Sequence, residues 1–461
     1  MKKPELLSPA GSLPVLKAAV IYGADAVYIG GEAFSLRAAA KNFTADEIKE
    51  GLAFAHEHGV KVYITANIYA HNGDLGEIEA YFKELSKIRP DGVLISDPGV
   101  FRIARRTMPG IDIHISTQAN NTNYETFNFW YELGVRRVVC ARELSLAEIA
   151  QIKAHIPEDM EIEAFVHGAM CISYSGRCLL SAYMTGRSAN EGACTHPCRW
   201  KYALEEESRP GEYMPVYENE RGTFIFNSKD LCMIEYLPQM IEAGIDSLKI
   251  EGRMKSALYV ASVCRTYRMA IDDYFCEKEA ETDKKSASEE AENGKILPKK
   301  YEDAESSLKT PGKISGRPLP GKYSENIAFY KSEISKCTYR EYTTGFFFGK
   351  PGEEAQIYDA STYVKEWTYL GMASEDKKEA EGMVYYGFEQ KNKFCTGDEI
   401  EIMKPSGENI QAVVIDMTDE DGNKISSCPH PKQHFYAAFG CMLSPYDIIR
   451  CRRKSGGPAG G

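Results

Sequence analysis

Eight short apolar runs recur through the first 275 residues, each followed by an amphipathic stretch, and this alternation narrows the fold more than any other feature. The runs are Glu5–Ser8, Ala26–Gly30, Lys61–Asn67, Gly92–Asp97, Ile111–Ser116, Arg137–Ala141, Glu161–Val166 and Ser247–Glu251. Near-continuous Val and Ile over four to eight residues suits strands covered on both faces. The stretches between carry helix punctuation. Ser12 stands before Leu13–Tyr22, with Gly23 at its end, and Thr44 with Glu47 and Ser145 with Glu148 have capping-box spacing. Gly59 and Gly134 follow periodic runs, where a left-handed residue commonly stops a helix. Eight strand–helix alternations in about 270 residues predict an α/β fold, a (β/α)8 TIM-like barrel. An open doubly wound sheet is the alternative, but no Gly-x-Gly-x-x-Gly opens the first helix.

One interval breaks the rhythm. About eighty residues separate the seventh strand from the eighth, and a barrel concentrates its chemistry on the loops at the carboxyl ends of its strands. Five cysteines lie in that interval, spaced Cys171-x6-Cys178-x15-Cys194-x3-Cys198-x33-Cys232, just after the strand ending Val166-His167-Gly168. Structural zinc usually takes paired spacings of two to four residues, which only Cys194/Cys198 approaches, and the ferredoxin spacings are absent. Spacing therefore supports a thiolate site without naming its metal. An iron–sulfur cluster, zinc and buried unligated thiols all stay open.

Charged residues dominate from Glu277 to Lys309 with almost no large apolar groups, too little to offset ordering entropy. The texture then turns to β, with runs at Tyr342–Phe348, Glu381–Tyr386, Gly397–Ile402 and Ala412–Ile415, the last leading to the turn Asp421-Gly422. The expected organisation is a barrel over 1–276 with a Cys-rich insertion at about 168–246, a charged flexible linker or excursion over 277–320, and a small β-barrel or sandwich domain over 321–461.

The chain has 461 residues, 43% of them hydrophobic, enough for a sizeable core. It contains no apolar run of about eighteen residues, so no membrane span is expected. With thirteen cysteines and no secretory leader at Met1-Lys-Lys-Pro-Glu, metal ligation or buried thiols in the cytoplasm are expected rather than disulfides. A formal net charge of −12 argues against nucleic-acid binding over the whole surface. Arg199, Lys201, Arg253, Lys255, Arg265 and Arg268 would form a local basic site if the fold gathered them, and are otherwise scattered solvated charges.

The run from Glu163 through His167, Gly168, Cys171, Gly176 and Cys178 to Ser181 resembles the signature of the collagenase-like peptidases, the unassigned peptidase family thirty-two. The blocks Glu5–Gly11, Gly23–Gly31 and Lys249–Lys255 are similar to other blocks of that family. The resemblance covers roughly residues 4–275, and the β-rich tail resembles the family's C-terminal domain. It implies hydroxylation rather than proteolysis. Its tRNA 5-hydroxyuridine synthases imply tRNA as partner and prephenate as a small-molecule hydroxyl donor, and other members imply an rRNA cytidine or a quinone ring as substrate. It further implies a [4Fe–4S] cluster, carried by position onto Cys171, Cys178, Cys194 and Cys232, with Cys198 in place of Cys232 as the other quartet. The oligomeric state is not legible.

Peptide hydrolysis would call for an activated nucleophile, a metal-bound water or paired carboxylates. Neither His-Glu-x-x-His nor Gly-x-Ser-x-Gly occurs. A cluster ligand such as Cys171 cannot also attack a carbonyl. Endopeptidase action and a non-catalytic scaffold are the competing readings. For hydroxylation, His167 is the candidate for proton transfer, with Asp97 and His114 as further catalytic candidates at strand ends. Asn67 and Gln118 are placed to contact a base edge. Arg142, Lys249, Arg253 and Lys255 are candidates for a carboxylate-bearing donor. The competing assignment for these cations is ion pairing with Glu143 or Glu251 at the rim. Tyr69 and Tyr174 are candidates to stack a flipped base. Arg450, Arg452, Arg453 and Lys454 would add RNA contacts or be solvated.

Overall fold

The computed structural model describes residues 2–31, 42–170, 180–185, 187, 195, 218–219, 222–223, 229–292, 323–350 and 364–453. The chain forms two compact units. The first comprises Met1–Cys264, Ser335–Tyr369 and Arg452–Gly461, and the second Arg265–Ile334 and Leu370–Cys451.

In the first unit, β1 (Glu5–Pro9), β2 (Ala26–Gly30), β3 (Lys61–Thr65), β4 (Gly92–Ile95), β5 (Asp112–Ile115), β6 (Arg137–Val139) and β7 (Glu161–Ala169) pair in parallel, each with the next. The short strands β8 (Glu218–Asn219) and β9 (Gly222–Thr223) pair with each other, and β10 (Asp230–Cys232) runs antiparallel to the end of β7. Strand β11 (Ser247–Ile250) then pairs in parallel with both β7 and β1, closing the cylinder. The (β/α)8 expectation is met and the open sheet is not. Apolar strands such as Ala26–Gly30 and Gly92–Ile95 are buried throughout, as either arrangement would require, and the pairing of β11 with both β7 and β1 decides for the closed one.

The helices α1 (Leu13–Ile21), α2 (Ala45–Glu57), α3 (Leu75–Ile88), α4 (Pro98–Thr107), α5 (Tyr124–Glu132) and α6 (Leu146–His155) follow successive strands. Both expected capping boxes form, Thr44 with Glu47 and Ser145 with Glu148. Gly23, Gly59 and Gly134 all have positive φ. Ser12 stands at the N-cap of α1, but its side chain makes no cap hydrogen bond.

The barrel interior is charged at the amino ends of its strands. Arg137 Nε donates to Glu161 Oε2 at 2.9 Å and its NH2 to Glu5 Oε2 at 3.2 Å. Tyr63 and Ser247 also donate to Glu5, at 2.8 and 3.0 Å. One layer higher, Lys249 Nζ meets Glu163 Oε1 at 2.6 Å.

After α7 (Leu180–Thr185) and α8 (Leu237–Glu242), α9 spans Ala257–Glu292 and α10 spans Tyr323–Ile334. Two boundary expectations are corrected here. Residues 277–292 continue α9 instead of beginning a linker, because Glu, Lys and Ala favour helix and Lys278 pairs with Glu281 at 3.1 Å one turn on. The apolar run from Tyr342 is not a strand of the tail domain. Only β12 (Tyr342–Thr343) is extended, and it pairs with β10, which places Ser335–Tyr369 in the barrel unit.

The remaining strands are β13 (Trp367–Ala380), β14 (Met383–Glu389), β15 (Glu399–Met403), β16 (Ile410–Thr418), β17 (His434–Phe439) and β18 (Ile448–Arg452). They close into an antiparallel barrel in the order β13-β14-β17-β16-β15-β18, as the expected small β domain. Its core includes Leu370, Phe388, Phe394, Ile402, Val414 and Phe435. Arg450, expected at an RNA-facing or solvated position, is fully buried instead. Its NH2 meets Glu333 at 2.9 Å and Glu401 at 2.6 Å. Arg265 is likewise internal to this unit, bonded to Glu333 at 3.3 Å and Asn409 at 2.9 Å, and Arg268 pairs with Asp272 at 2.8 Å. Buried carboxylates, not solvent or phosphate, hold the Arg265 and Arg450 guanidinium groups, because an unpaired charge there would be prohibitively costly.

Candidate active site at the barrel mouth

Strand β7 outruns β11 at the carboxyl rim, and β10 pairs with the overhang. The register sets Cys232 opposite His167 and Asp230 opposite Ala169. Strand β12 then adds Tyr342 opposite Asp230. Side chains on one face of a sheet recur every second residue, so His167, Cys232, Asp230 and Tyr342 share a face. The His167 ring lies 5.5 Å from the Tyr342 ring and 5.9 Å from that of Tyr259. Tyr339 stacks on Tyr342 at 4.8 Å, and the buried Asp230 carboxylate accepts the Arg340 amide at 3.2 Å, pinning the returning segment to the rim. Burial, with the Cys337 and Cys232 sulfurs as the next contributions, lifts the Tyr342 phenol well above its ordinary 10. Tyr342 and Tyr259 were not among the expected site residues. Tyr342 lies far along the chain from His167 in a run resembling a tail strand, and only the β10–β12 register brings it here.

Burial, with the Lys255 ammonium adding to it, pushes His167 down to about 3. The imidazole is therefore neutral at neutral pH, with one ring nitrogen able to donate a hydrogen bond and the other to accept one. His114, inside the barrel against Tyr63 with ring centroids 4.6 Å apart, is also held well below 6.5, by burial and then by Arg137 and Lys249. Both imidazoles stay neutral in the fold, while the unfolded chain protonates them below about 6.5. The unfolded state then binds more protons, so stability falls as pH drops from about 6.5 toward 3, by up to about 1.4 kcal/mol per pH unit for each histidine. Urea midpoints at pH 7 and pH 5 are expected to show this loss, and His167→Gln to flatten it. Equal losses in both proteins would refute the assignment of a neutral His167.

Arg142, at the end of β6, donates to Glu251 at 3.1 Å and to the Ala169 carbonyl at 3.1 Å, and lies 3.9 Å over the Phe165 ring. The expected competition between donor binding and pairing with Glu251 thus has the ion pair in place. A small cavity beside it is lined by Cys140, Phe165, Met170, Leu231, Phe346 and Phe347. Arg253 is buried, donating to Thr65 Oγ1 at 2.8 Å and Asn42 Oδ1 at 3.4 Å. Lys255 sits 5.0 Å over the Tyr259 ring. Backbones meet closely at this rim. Gly168 has φ +110°, and a Cβ there would stand 2.5 Å from the Glu251 carbonyl oxygen. Gly168→Ala is expected to cost about 1–3 kcal/mol and to disturb His167 and Arg142 together. A urea midpoint equal to wild type would refute this.

Other expected site residues scatter. Asp97 caps α4, its Oδ1 accepting from Val100 N at 2.9 Å, which is a helix-end role. Lys249 and His114 belong to the closed interior, where Lys249 serves Glu163. Each is the third residue of a four-residue strand and is engaged by an interior partner, Glu163 for Lys249 and the Tyr63 ring for His114. Asn67 and Gln118 do come together. Asn67 Nδ2 donates to Gln118 Oε1 at 2.8 Å and to Ser116 Oγ at 3.3 Å, and Tyr69 OH donates to the Gln118 carbonyl at 3.1 Å.

Cys171, Cys178, Cys194, Cys198, Tyr174, Arg199, Lys201 and Lys454 lie outside the described residues. Among the described residues no group of three His, Cys, Asp or Glu side chains is placed to hold a metal ion. Of the expected ligands, Cys232 is described, partly exposed at the rim, and β7 delivers the chain to Met170, the residue before Cys171. No helix among the described residues is long and apolar enough to cross a membrane.

The model of Peptidase family U32 matches residues 11–305, and that of the Peptidase family U32 C-terminal domain matches residues 365–450. The chain belongs to peptidase family U32. Among its relatives is the tRNA hydroxylation protein P1 of Bacillus subtilis (strain 168), 39% identical over 449 residues, spanning 97% of this chain and 95% of that one. The tRNA hydroxylation protein P of Escherichia coli (strain K12) is 35% identical over 93% of this chain and 92% of its own. The 23S rRNA 5-hydroxycytidine C2501 synthase of the same organism is 37% identical over 58% of this chain and 39% of its own. As a U32 member, the chain places its signature histidine, His167, at the rim of a closed barrel facing Cys232.

Proposed function

We propose that this chain is an RNA hydroxylase that forms 5-hydroxyuridine in tRNA, with prephenate as hydroxyl donor and a [4Fe–4S] cluster on Cys171, Cys178, Cys194 and Cys232. The observation that carries the reading is similarity along nearly the whole chain to two proteins named for tRNA hydroxylation. The geometry supports it in three ways. A thiol and a neutral imidazole face each other at the rim. The insertion that bears the other proposed ligands leaves β7 at the same place. Amides and guanidinium groups line the surrounding mouth.

Four thiolates are a suitable donor set for such a cluster, which when bound supplies a one-electron redox centre next to the base. Replacing a C5 hydrogen by hydroxyl oxidises the base by two electrons, so the donor that gives up its hydroxyl oxygen must take up those two electrons, and the displaced C5 hydrogen must leave as a proton. His167 would orient the base, or relay a proton by taking one at one ring nitrogen as it gives one up at the other. Arg253 and Lys255, with Arg142 if it releases Glu251, would hold the donor's carboxylates.

The peptidase reading gains nothing from the rim thiol of β6. Cys140 is buried and pushed up to about 12 by that burial and the nearby Glu163, which keeps it a poor nucleophile. Nucleoside analysis of tRNA from a deletion strain tests the proposal. Loss of 5-hydroxyuridine and its derivatives, restored by the wild-type chain, is expected, and an unchanged nucleoside profile would overturn it. Iron and sulfide assays on anaerobically purified protein test the cluster separately.

A further inference from the structure

Asn67 and Gln118 are both buried, yet their mutual hydrogen bond leaves hydrogen-bonding capacity unused. Asn67 Oδ1 is a buried acceptor with no partner, and Gln118 Nε2 donates to none of the described residues. Turning both amides round would exchange the roles and still leave one donor and one acceptor over. An orphaned buried acceptor costs about 1–3 kcal/mol, so its retention calls for an explanation.

The pair is also held rigidly. Ser116 Oγ lies between the two amides, contacting both. The Gln118 turn is fixed by Thr117 Oγ1 donating to the Cys140 carbonyl at 3.1 Å. Asn121 Nδ2 ties the same turn to the Ser116 and Val139 carbonyls at 3.2 and 3.0 Å. Tyr69 adds its phenol to the Gln118 carbonyl, setting an aromatic ring beside the amides. These residues follow β3 and β5 at the barrel's carboxyl rim, the rim that carries His167 on β7.

We propose that Asn67 and Gln118 form the base-reading element of the site and take the imide edge of a flipped uracil. Asn67 Oδ1 accepts from N3–H while Gln118 Nε2 donates to the neighbouring carbonyl. This deepens the tRNA uridine reading and rests on it. A complementary donor–acceptor edge supplies the two bonds that the folded protein lacks, which makes the unbound pair's cost a source of discrimination. A base unable to donate at N3 leaves the Asn67 oxygen orphaned.

The test uses the full chain and fluorescence anisotropy with anticodon stem-loops that carry uridine or 3-methyluridine at the modified position. Wild type is expected to bind the uridine stem-loop about tenfold or more tightly than the methylated one, the usual worth of a paired base contact. Asn67→Leu and Gln118→Leu are expected to erase that ratio while leaving phosphate-driven binding and its salt dependence in place. A merely structural role would lower affinity for both stem-loops alike, through loss of fold, and would keep the ratio. Wild-type indifference to the methyl group, or variants that keep the preference, overturns the inference. A deletion strain with intact 5-hydroxyuridine would instead strike the functional reading itself, so the two failures are distinguishable.

Discussion

Cys232→Ser is expected to yield folded protein that loses the visible absorbance and most of the iron of the anaerobically purified chain. Its tRNA hydroxylation should fall by more than the roughly 10–100-fold typical of changes one step removed from a metal. The expectation follows from position. Cys232 is the last residue of β10, its backbone paired with His167, so serine keeps the ladder and removes only the sulfur. A serine oxygen is a harder and less polarisable ligand than thiolate, and iron–sulfur clusters favour sulfur. Cys198→Ser is the informative partner. If iron survives Cys232→Ser and is lost with Cys198→Ser, the ligand set is the other quartet and the assignment of Cys232 is wrong. Unchanged circular dichroism in both variants would separate ligand loss from unfolding.

Lys249→Ala is expected to destabilise the barrel by about 3–5 kcal/mol, the cost of breaking a buried ion pair from one side. Glu163 is completely buried, and with Lys249 gone its nearest remaining cation is Arg137 at 3.7 Å, already engaged with Glu5 and Glu161. The removed ammonium also lies 4.5 Å over the Tyr28 ring, so packing is lost with the charge. Urea unfolding monitored by circular dichroism measures the effect. The double variant Lys249→Met/Glu163→Leu should recover much of the loss, because apolar groups of similar volume need no desolvation of charge. A single variant as stable as wild type would mean that Glu163 takes up a proton at little cost. In that event the interior network would not be what keeps the lower barrel together.

Several features of the barrel were legible because they are local. A buried parallel strand needs an unbroken apolar run, and Val27, Ile64, Leu94 and Val138 sit in such runs, all fully or almost fully buried. Capping boxes depend on residues three apart, so Thr44/Glu47 and Ser145/Glu148 could be recognised without knowledge of the fold. Side-chain depth along a strand was not legible. His114 and Asn67 both stand on or next to strands, yet one lies inside the barrel against Tyr63 and the other at the rim beside Gln118. Likewise Arg450 and Arg265 had the appearance of surface cations, and only burial against Glu333 shows their role.

The order of elements and the family signature around His167 were therefore determined by the sequence on its own, since each depends on neighbours along the chain, and the count of eight strand–helix units pointed to closure. Tertiary structure alone decided that Ser335–Tyr369 returns to the barrel, that Tyr342 faces His167, and that Asn67 and Gln118 pair. Those contacts join residues distant in sequence through strand register and side-chain direction, quantities that hydrophobic periodicity does not encode.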